Sequence, residues 1–141
     1  MTLLVPQTEG IPLPRPTGIS KPFWDACAEG RLVYQRCAQC DTVVFNPAPL
    51  CPTCQSRDLR WHDSTGVGAI YSYTVVYRPM TPKFITPYVP IIVDVDEGFQ
   101  IVSNLIGCEP ERAAVGLRVG VVMHEVGAVT LPYFAPLDAV Q

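Results

Sequence analysis

The fold is decided by residues 37–54, which read CAQCDTVVFNPAPLCPTC. This stretch holds two Cys-x-x-Cys pairs separated by ten residues. Each pair makes a tight turn that directs two sulfurs at one point, and the strand and turn between the pairs bring the two turns together. The spacing therefore predicts a tetrahedral site of four sulfurs. Its ligands are Cys37, Cys40, Cys51 and Cys54.

A site of four thiolates favours zinc. The closed coordination sphere leaves no position for water, so we expect a structural metal that contributes folding energy rather than Lewis acidity. Three alternatives stay open: iron in a rubredoxin-like centre, an iron–sulfur cluster, and thioredoxin-like redox cysteines. Two Cys-x-x-Cys pairs this close rarely act independently, which disfavours the redox alternative. Because four-sulfur geometry suits both metals, recombinant protein is expected to carry some iron beside the zinc.

Composition limits the remaining function classes. The chain has 141 residues and a net charge of −3, which suits one small protein whose main partner is not a polyanion. No apolar run reaches the roughly 18 residues of a membrane helix, and the first residues do not resemble a secretory signal. We therefore expect a cytoplasmic protein with metal-binding rather than disulfide-bonded cysteines. Cys27 and Cys108 stand outside the pairs and are expected to pack as small buried residues.

The chain before the cysteines divides into two parts. Residues 1–20 are rich in proline and predict an extended arm, which either wraps over a partner or is mobile. Residues 21–36 predict a short helix and a lead-in strand. Ser20 at the cap, Pro22 in the first turn and Gly30 at the end frame the helix. The apolar stripe of this helix comprises Phe23, Trp24 and Cys27.

The chain after Gly66 changes to short strands. Apolar and polar residues alternate, and repeated glycines supply the sharp bends of a small closed barrel. Residues 109–114 add one helical turn before the fourth strand. We predict a mainly β protein, in which a helix and a zinc ribbon at 37–61 precede a five-stranded OB-fold barrel at 66–136 and a tail at 137–141. The predicted barrel strands are 69–77, 89–96, 99–106, 117–126 and 129–134.

Catalytic machinery is hard to find in the sequence. The two histidines, His62 and His124, each stand alone on a predicted strand, where a structural or exposed role is usual. Asp94 and Asp96 share one strand face but lack a partner acid, base or open metal site, so we expect a solvated face. No set of residues supplies a nucleophile, a base and an oxyanion donor together. We therefore expect that the chain alone is not an enzyme.

The connection at residues 78–90 is the candidate ligand or partner surface. It joins the first two barrel strands, and in OB-folds this loop flanks the usual ligand face. Four prolines stiffen it, and its aromatic residues present apolar surface between two cations. This composition suits a clamp over an amphipathic ligand or a partner protein; the alternative is a surface loop packed on the barrel. The candidate contact residues are Arg78, Lys83, Phe84 and Tyr88.

The chain resembles a family of small bacterial and archaeal acyl-CoA-associated OB-fold proteins with a rubredoxin-like zinc ribbon. The resemblance covers about residues 20–136. One departure is Asp41, which follows the second cysteine where many such turns place glycine in a left-handed conformation. The resemblance rests on Phe23-Trp24, residues 30–32, the four cysteines, Pro52, Gly68 with residues 71–76, residues 90–98 and residues 132–136.

The resemblance implies a non-catalytic accessory subunit of a thiolase-like acyl-CoA enzyme: a thiolase, including sterol-carrier-type thiolases, an acyl transferase or a retro-aldolase. In such a hetero-oligomer the partner carries the chemistry, and the OB protein stabilises it and helps to form the CoA or acyl site. Arg78 and Lys83 would then contact CoA phosphates, with Phe84 and Tyr88 on the acyl or partner side.

The alternative function is a zinc ribbon and OB-fold module that binds single-stranded nucleic acid. Both folds bind nucleic acids, and the chain has aromatic residues that could stack on bases: Tyr71, Tyr73, Tyr77 and Phe99. The acidic balance of the chain disfavours this alternative because the basic groove that accompanies such aromatics is missing.

Overall fold

The computed structural model describes residues 3–8 and 10–139. The arm prediction at residues 1, 2 and 9 and the tail prediction at 140–141 lie outside this range. Within it, no helix is long and apolar enough to cross a membrane. The elements are α1 (Lys21–Ala28), β1 (Val33–Cys37), β2 (Val43–Val44), β3 (Leu59–Asp63), β4 (Val67–Tyr73), β5 (Val89–Val95), β6 (Phe99–Leu105), β7 (Arg118–Val126) and β8 (Val129–Pro136), with 3₁₀ turns at Pro110–Arg112 and Leu137–Ala139.

The strands form two sheets. The first, in the order β2-β1-β3, is the three-stranded antiparallel ribbon that carries the cysteines. The second is a closed barrel in the order β4-β5-β6-β8-β7. Four of its five pairings are antiparallel, and a short parallel contact between Leu105 of β6 and Phe134 of β8 completes the barrel. The predicted mainly β fold with a five-stranded OB-type barrel is therefore confirmed.

Strand β5 shows why the alternating pattern predicted the barrel. Ile91, Val93 and Val95 are at most 3% exposed and fill the interior, while the residues between them face outward. The chain then reverses in a tight turn, where the Gly98 N–H donates to the Val95 carbonyl at 2.8 Å. Gly98 has a φ of +101°, a conformation that side chains other than glycine rarely adopt.

Strand β4 is shorter than the sequence predicted. It ends at Tyr73 rather than at residue 77, and its pairing with β5 shifts register between Ile70 and Ser72. Such a bulge turns the strand and interrupts the regular alternation. Pairing with β5 resumes at Ser72 and Tyr73 and ends there. After Tyr73, a hydrogen bond from the Thr74 N–H to the Pro90 carbonyl and an isolated bridge between Val76 and Tyr88 hold the chain near β5. The exposed tyrosines of this stretch are Tyr71, Tyr73 and Tyr77.

The amino-terminal arm packs against this chain's own barrel. The Leu4 N–H donates to the Cys108 carbonyl at 2.8 Å, and the Gly107 N–H donates to the Leu4 carbonyl at 2.9 Å. Leu4 is 2% exposed and Gln7 is 3% exposed, so these two positions are part of the packed protein. At Leu4 and Gln7 the arm therefore packs on this chain's own barrel, a third outcome beside the two that the sequence left open.

A cluster of aromatic rings joins the helix, the ribbon and the barrel. Phe45 of the ribbon stacks on Phe99 of the barrel at 4.7 Å, with only 4° between the ring planes. Phe23 of α1 meets Phe45 edge to face at 5.5 Å, and Tyr34 of β1 lies 5.2 Å from Phe99. Because Phe23, Tyr34 and Phe99 belong to one buried cluster and Phe45 packs against it, the ribbon and the barrel share a core.

Glu97 fixes the link between ribbon and barrel. Its carboxylate accepts hydrogen bonds from the Ser64 hydroxyl and from the Thr65 N–H and hydroxyl. Partial burial raises the pKa of Glu97, but the bonds from Ser64 and Thr65 outweigh that effect, and the pKa lies below its ordinary value. The ionised form of Glu97 thus stabilises the junction.

Candidate metal centre and ligand groove

Two matching turns present the four cysteine sulfurs. In the first turn the Gln39 N–H donates to the Cys37 Sγ at 3.4 Å, and in the second the Thr53 N–H donates to the Cys51 Sγ at the same distance. Both turns close with a residue of positive φ after the second cysteine. These residues are Asp41 at 67° and Gln55 at 63°. Neither is glycine, so both turns hold an ordinary side chain in the left-handed region.

The four sulfurs form a compact cluster. The Cys37 and Cys54 sulfurs are 3.6 Å apart, the Cys40 and Cys51 sulfurs are 3.5 Å apart, and all four lie within 4.8 Å of one another. A zinc ion with four Zn–S bonds of about 2.3 Å needs S···S separations of about 3.8 Å. Separations close to this value indicate that the four residues fit a tetrahedral Zn²⁺.

The electrostatics of the cluster also suit a cation. Backbone N–H donors, chiefly that of Cys54, lower the pKa of Cys51 to about 6, and the N–H of Cys40 likewise lowers the pKa of Cys37. The Ser56 N–H acts to lower the pKa of Cys54, but desolvation and the three neighbouring sulfurs raise it to about 12. Four sulfurs this close cannot all ionise without a compensating charge, which a divalent metal supplies.

The two remaining cysteines are buried in the core, as expected. Cys27 is fully buried and Cys108 is 4% exposed. Burial raises the pKa of Cys27 to about 12 and also raises the pKa of Cys108. Both thiols therefore stay neutral and unreactive at physiological pH.

The histidines and paired aspartates have ordinary surroundings. His62 is exposed beside Tyr34, and His124 lies edge-on to Tyr133. Asp94 accepts a hydrogen bond from a neighbouring glutamine side chain, and Asp96 receives both guanidinium nitrogens of one arginine. We therefore assign these four residues structural roles near the protein surface.

The predicted contact residues on the β4–β5 loop fall into two groups. Phe84 and Tyr88 are half-buried and stack on each other, with ring centres 5.5 Å apart. Arg78 and Lys83 are exposed. The loop is fastened to the arm, because the Gln7 side chain donates to the Ile85 carbonyl at 3.0 Å and accepts from the Ile85 N–H at 2.8 Å.

A groove with a volume of about 370 Å³ lies between the arm, α1, the ribbon, the loop and the barrel. Of the four predicted contact residues, Phe84 lines it and the other three do not. None of its lining residues carries a charged side chain. They are Gln7, Ile11, Ser20, Phe23, Trp24, Phe45, Asn46, Pro47, Phe84, Ile101, Val102, Ser103, Asn104, Leu131, Pro132 and Tyr133.

The buried polar groups of this groove are held in defined positions. The Tyr133 hydroxyl accepts from the Gln7 N–H at 3.2 Å, and the Ser103 hydroxyl donates to the Pro132 carbonyl at 2.7 Å. Burial raises the pKa of Tyr133, which therefore stays a neutral O–H donor. Sequence patterns did not reveal this groove because its lining residues run from Gln7 to Tyr133 and meet only in the folded chain.

Comparison with known families identifies both parts of the fold. Residues 24–60 match the family described as the rubredoxin-like zinc ribbon domain of ChsH2, and residues 61–124 match the C-terminal OB-fold domain of ChsH2. A probable enoyl-CoA hydratase alpha subunit of Thermomonospora curvata is 40% identical over 116 residues, covering 81% of this chain and 36% of that protein. The chain thus spans about a third of the length of that relative.

Two further proteins resemble most of the chain. A DUF35 domain-containing scaffold protein of Methanocaldococcus jannaschii is 30% identical over 76% of this chain and 82% of its own. A solved structure named Ltp2-ChsH2(DUF35) aldolase contains a chain with a TM-score of 0.81 and 37% identity, covering 88% of this chain and 98% of that chain. This protein, with its four-cysteine ribbon and OB-type barrel, belongs to the DUF35 family.

Proposed function

We propose that this chain is a non-catalytic accessory subunit of a thiolase-like acyl-CoA enzyme, which is a thiolase, an acyl transferase or a retro-aldolase. The likeness to a chain of the Ltp2-ChsH2(DUF35) aldolase carries the proposal, because it extends over 88% of this chain at 37% identity. The names of the other relatives, a hydratase alpha subunit and a scaffold protein, agree with a subunit role. The partner would carry the catalytic residues, and the working location would be the cytoplasm.

Exposed apolar residues supply a surface for such a partner. Tyr77 is 69% exposed and Met80 is 86% exposed, both on the loop between β4 and β5. Large exposed apolar groups mark interaction sites, and tyrosine and methionine are enriched at interfaces. We group four exposed apolar residues of β4 and the start of the following loop as one set: Tyr71, Tyr73, Tyr77 and Met80. We assign docking to this set, with Arg78 and Lys83 as candidate contacts to CoA phosphates at its edge.

The metal centre has a structural role in this proposal. Cys37, Cys40, Cys51 and Cys54 would hold one Zn²⁺ in a closed sphere, which leaves no position for a substrate. The ion would fix the ribbon, and the ribbon in turn fixes the aromatic cluster at Phe45 and so the wall of the groove.

Purification from the native host tests the partnership directly. We expect a thiolase-like subunit to copurify in a defined stoichiometry and the complex to turn over an acyl-CoA substrate. The chain by itself should neither condense nor cleave acyl-CoA. Turnover by the pure single chain, or copurification with a protein of another class, would contradict the proposal.

Two variants of equal exposure test the docking surface. Tyr77 is 69% exposed and Val115, on another connection, is 70% exposed. Tyr77→Ala is expected to cost about 2 kcal/mol of partner affinity, which is roughly 30-fold in Kd, without moving the melting temperature. Val115→Ala should leave both quantities unchanged. If the two variants bind the partner with equal affinity, Tyr77 and its loop are not part of the interface.

Phe84 requires both measurements because it is half-buried. A docking anchor would cost affinity while the melting temperature of the free protein stays nearly constant. A ring that mainly packs on the barrel would lower stability, by up to about 3 kcal/mol for a side chain of this size, and leave affinity intact. The stacked neighbour Tyr88→Ala should behave in the same way as Phe84→Ala.

A further inference from the structure

We propose that the groove between the arm, α1, the ribbon and the barrel binds the uncharged hydrocarbon part of an acyl thioester. This inference rests on the proposed function for the identity of the ligand class and assigns that ligand a place on this chain. Of the residues that line the groove, the sequence had marked only Phe84 as a candidate ligand or partner contact.

The size and lining of the groove support a small-molecule site. Ligand pockets typically measure about 300–1,000 Å³ and combine apolar walls with a few placed polar groups. This groove measures about 370 Å³, and Phe23, Trp24, Phe45 and Leu131 are among its apolar walls. Burial of hydrocarbon against such walls is favourable because it removes apolar surface from water.

The absence of charged residues in the lining indicates which end of the thioester the groove binds. Every lining residue is neutral, so no group in the groove would pair with a CoA phosphate. Phosphates left without cationic partners would stay in water, because burying an unpaired charge is costly. The groove therefore suits the acyl end of a thioester and not its nucleotide end.

Tyr133 supplies a hydrogen-bond donor inside this apolar site. It is 3% exposed, and its oxygen accepts the Gln7 N–H, which fixes its orientation. Among the hydrogen bonds of the described residues, none uses the hydroxyl proton of Tyr133. That proton is available to a carbonyl or hydroxyl oxygen on the ligand, and a buried donor gains more from a partner than an exposed one.

The position of the groove agrees with this assignment. OB-folds bind ligands on the face of their second and third strands, beside the loop between the first two strands. Here residues 101–104 of β6 and Phe84 of that loop line the groove. The helix, ribbon and arm cover this face on the other side, which turns an open platform into a partly enclosed site.

The test uses an uncharged probe, the decanoyl thioester of N-acetylcysteamine, with the acetyl thioester and free CoA as controls. Trp24 lines the groove, so its fluorescence reports occupancy in a Trp61→Phe background. We expect a saturable change with the decanoyl probe at micromolar concentration. The acetyl thioester should bind at least tenfold more weakly, and free CoA should neither bind in the groove nor displace the probe.

Matched variants locate the site. Val102 lines the groove and is 75% exposed, whereas Val115 lies outside it and is 70% exposed. Val102→Asp places a carboxylate at the rim and should weaken decanoyl binding at least tenfold, while Val115→Asp should not. Asn46→Asp, an isosteric change at a second lining position, should act like Val102→Asp. Equal affinity of these variants, with melting temperatures unchanged, would overturn the assignment.

The partner subunit separates this inference from the proposed function. If the complex forms and is active but excludes the decanoyl probe from the groove, the partner fills the groove and the acyl site is wrong while the subunit role stands. If no thiolase-like partner exists but the probe binds with the expected variant effects, the subunit role fails and the groove remains an acyl-binding site.

Discussion

Substitution of Gly68 by alanine tests how the barrel is closed. Gly68 on β4 pairs with Val95 of β5 on one side and with Val119 of β7 on the other. A Cβ at this position would lie 2.3 Å from the Asp94 carbonyl oxygen and 2.9 Å from the Val95 Cα. Both are backbone atoms, so the clash cannot be relieved by a side-chain rotation.

The expected cost follows from these distances. Carbon–oxygen contacts between strands normally lie at about 3.3–3.6 Å, so β4 and β5 must separate by about 1 Å. The nearby bond from the Asp96 N–H to the Val67 carbonyl, now 2.9 Å, would then exceed hydrogen-bonding distance. Overpacking costs about 1–3 kcal/mol and each lost hydrogen bond about 1 kcal/mol, giving about 3 kcal/mol in total.

Thermal unfolding measures this loss. For a chain of this length, about 3 kcal/mol lowers the melting temperature by about 10 °C. Gly18→Ala is the control, because nothing lies within 4 Å of its added Cβ and its φ is not positive. Zinc content should remain one per chain in both variants because the cysteines lie in the other sheet. A Gly68→Ala protein that melts within 2 °C of the wild type would refute the close approach of the two strands.

Three further predictions concern the metal centre, its two turns and the junction. Cys51→Ser should lose its zinc, measured by elemental analysis, and should melt at a far lower temperature. The control Cys27→Ser, at a buried cysteine outside the cluster, should keep its zinc. A stable Cys51→Ser protein without metal would contradict a structural site. Gln55→Gly should raise the free energy of unfolding by about 0.5–1 kcal/mol, because glycine adopts the positive φ of this position without strain. Asp41→Gly should gain less, because aspartate tolerates that region better and Asp41 also pairs with Arg36. The Glu97 pKa lies below its unfolded value, so its stabilisation is present above about pH 4.5 and is lost as the pH falls through the lower pKa of the folded protein. The melting temperature of the wild type should therefore fall more than that of Glu97→Gln between about pH 5 and pH 3, and parallel curves would exclude this role.

Sequence patterns predicted the elements whose geometry depends on residues that are close together in the chain. The cysteine spacing predicted four converging sulfurs because two tight turns suffice to position them. Alternation predicted β5 because one of its faces fills the barrel. The same rule extended β4 too far: the alternating pattern continues to Tyr77, but the strand shifts register after Ile70 and ends at Tyr73, before the proline-rich loop.

The groove could not be predicted because long-range contacts assemble it. Gln7 and Ile85 are 78 residues apart in the chain, yet two hydrogen bonds join them and set one wall. Gln7 and Tyr133 are 126 residues apart and are linked in the same way. A glutamine in a proline-rich arm carries no period or motif that would mark it as buried. Only the fold shows that the arm belongs to the site.

The ion pairs of the structure allow a quantitative prediction about binding of single-stranded nucleic acid. The chain has ten lysines and arginines, all within the described residues, and six of them form ion pairs with carboxylates. These six are Lys21, Arg31, Arg36, Arg60, Arg112 and Arg118.

A single-stranded nucleic-acid ligand would have to break these ion pairs or bind through the few other cations. Tight binding needs many phosphate contacts, and each contact adds about −0.7 to the slope of log K against log salt. We therefore expect a twenty-nucleotide oligothymidine to bind with a Kd above about 10 μM at 150 mM salt and with a slope shallower than about −2. The exposed tyrosines can stack on bases, but stacking without phosphate contacts should give only weak, salt-insensitive quenching. Submicromolar binding with a steep salt slope would show that the ion pairs open for phosphates, and it would favour the nucleic-acid function over the acyl-CoA role.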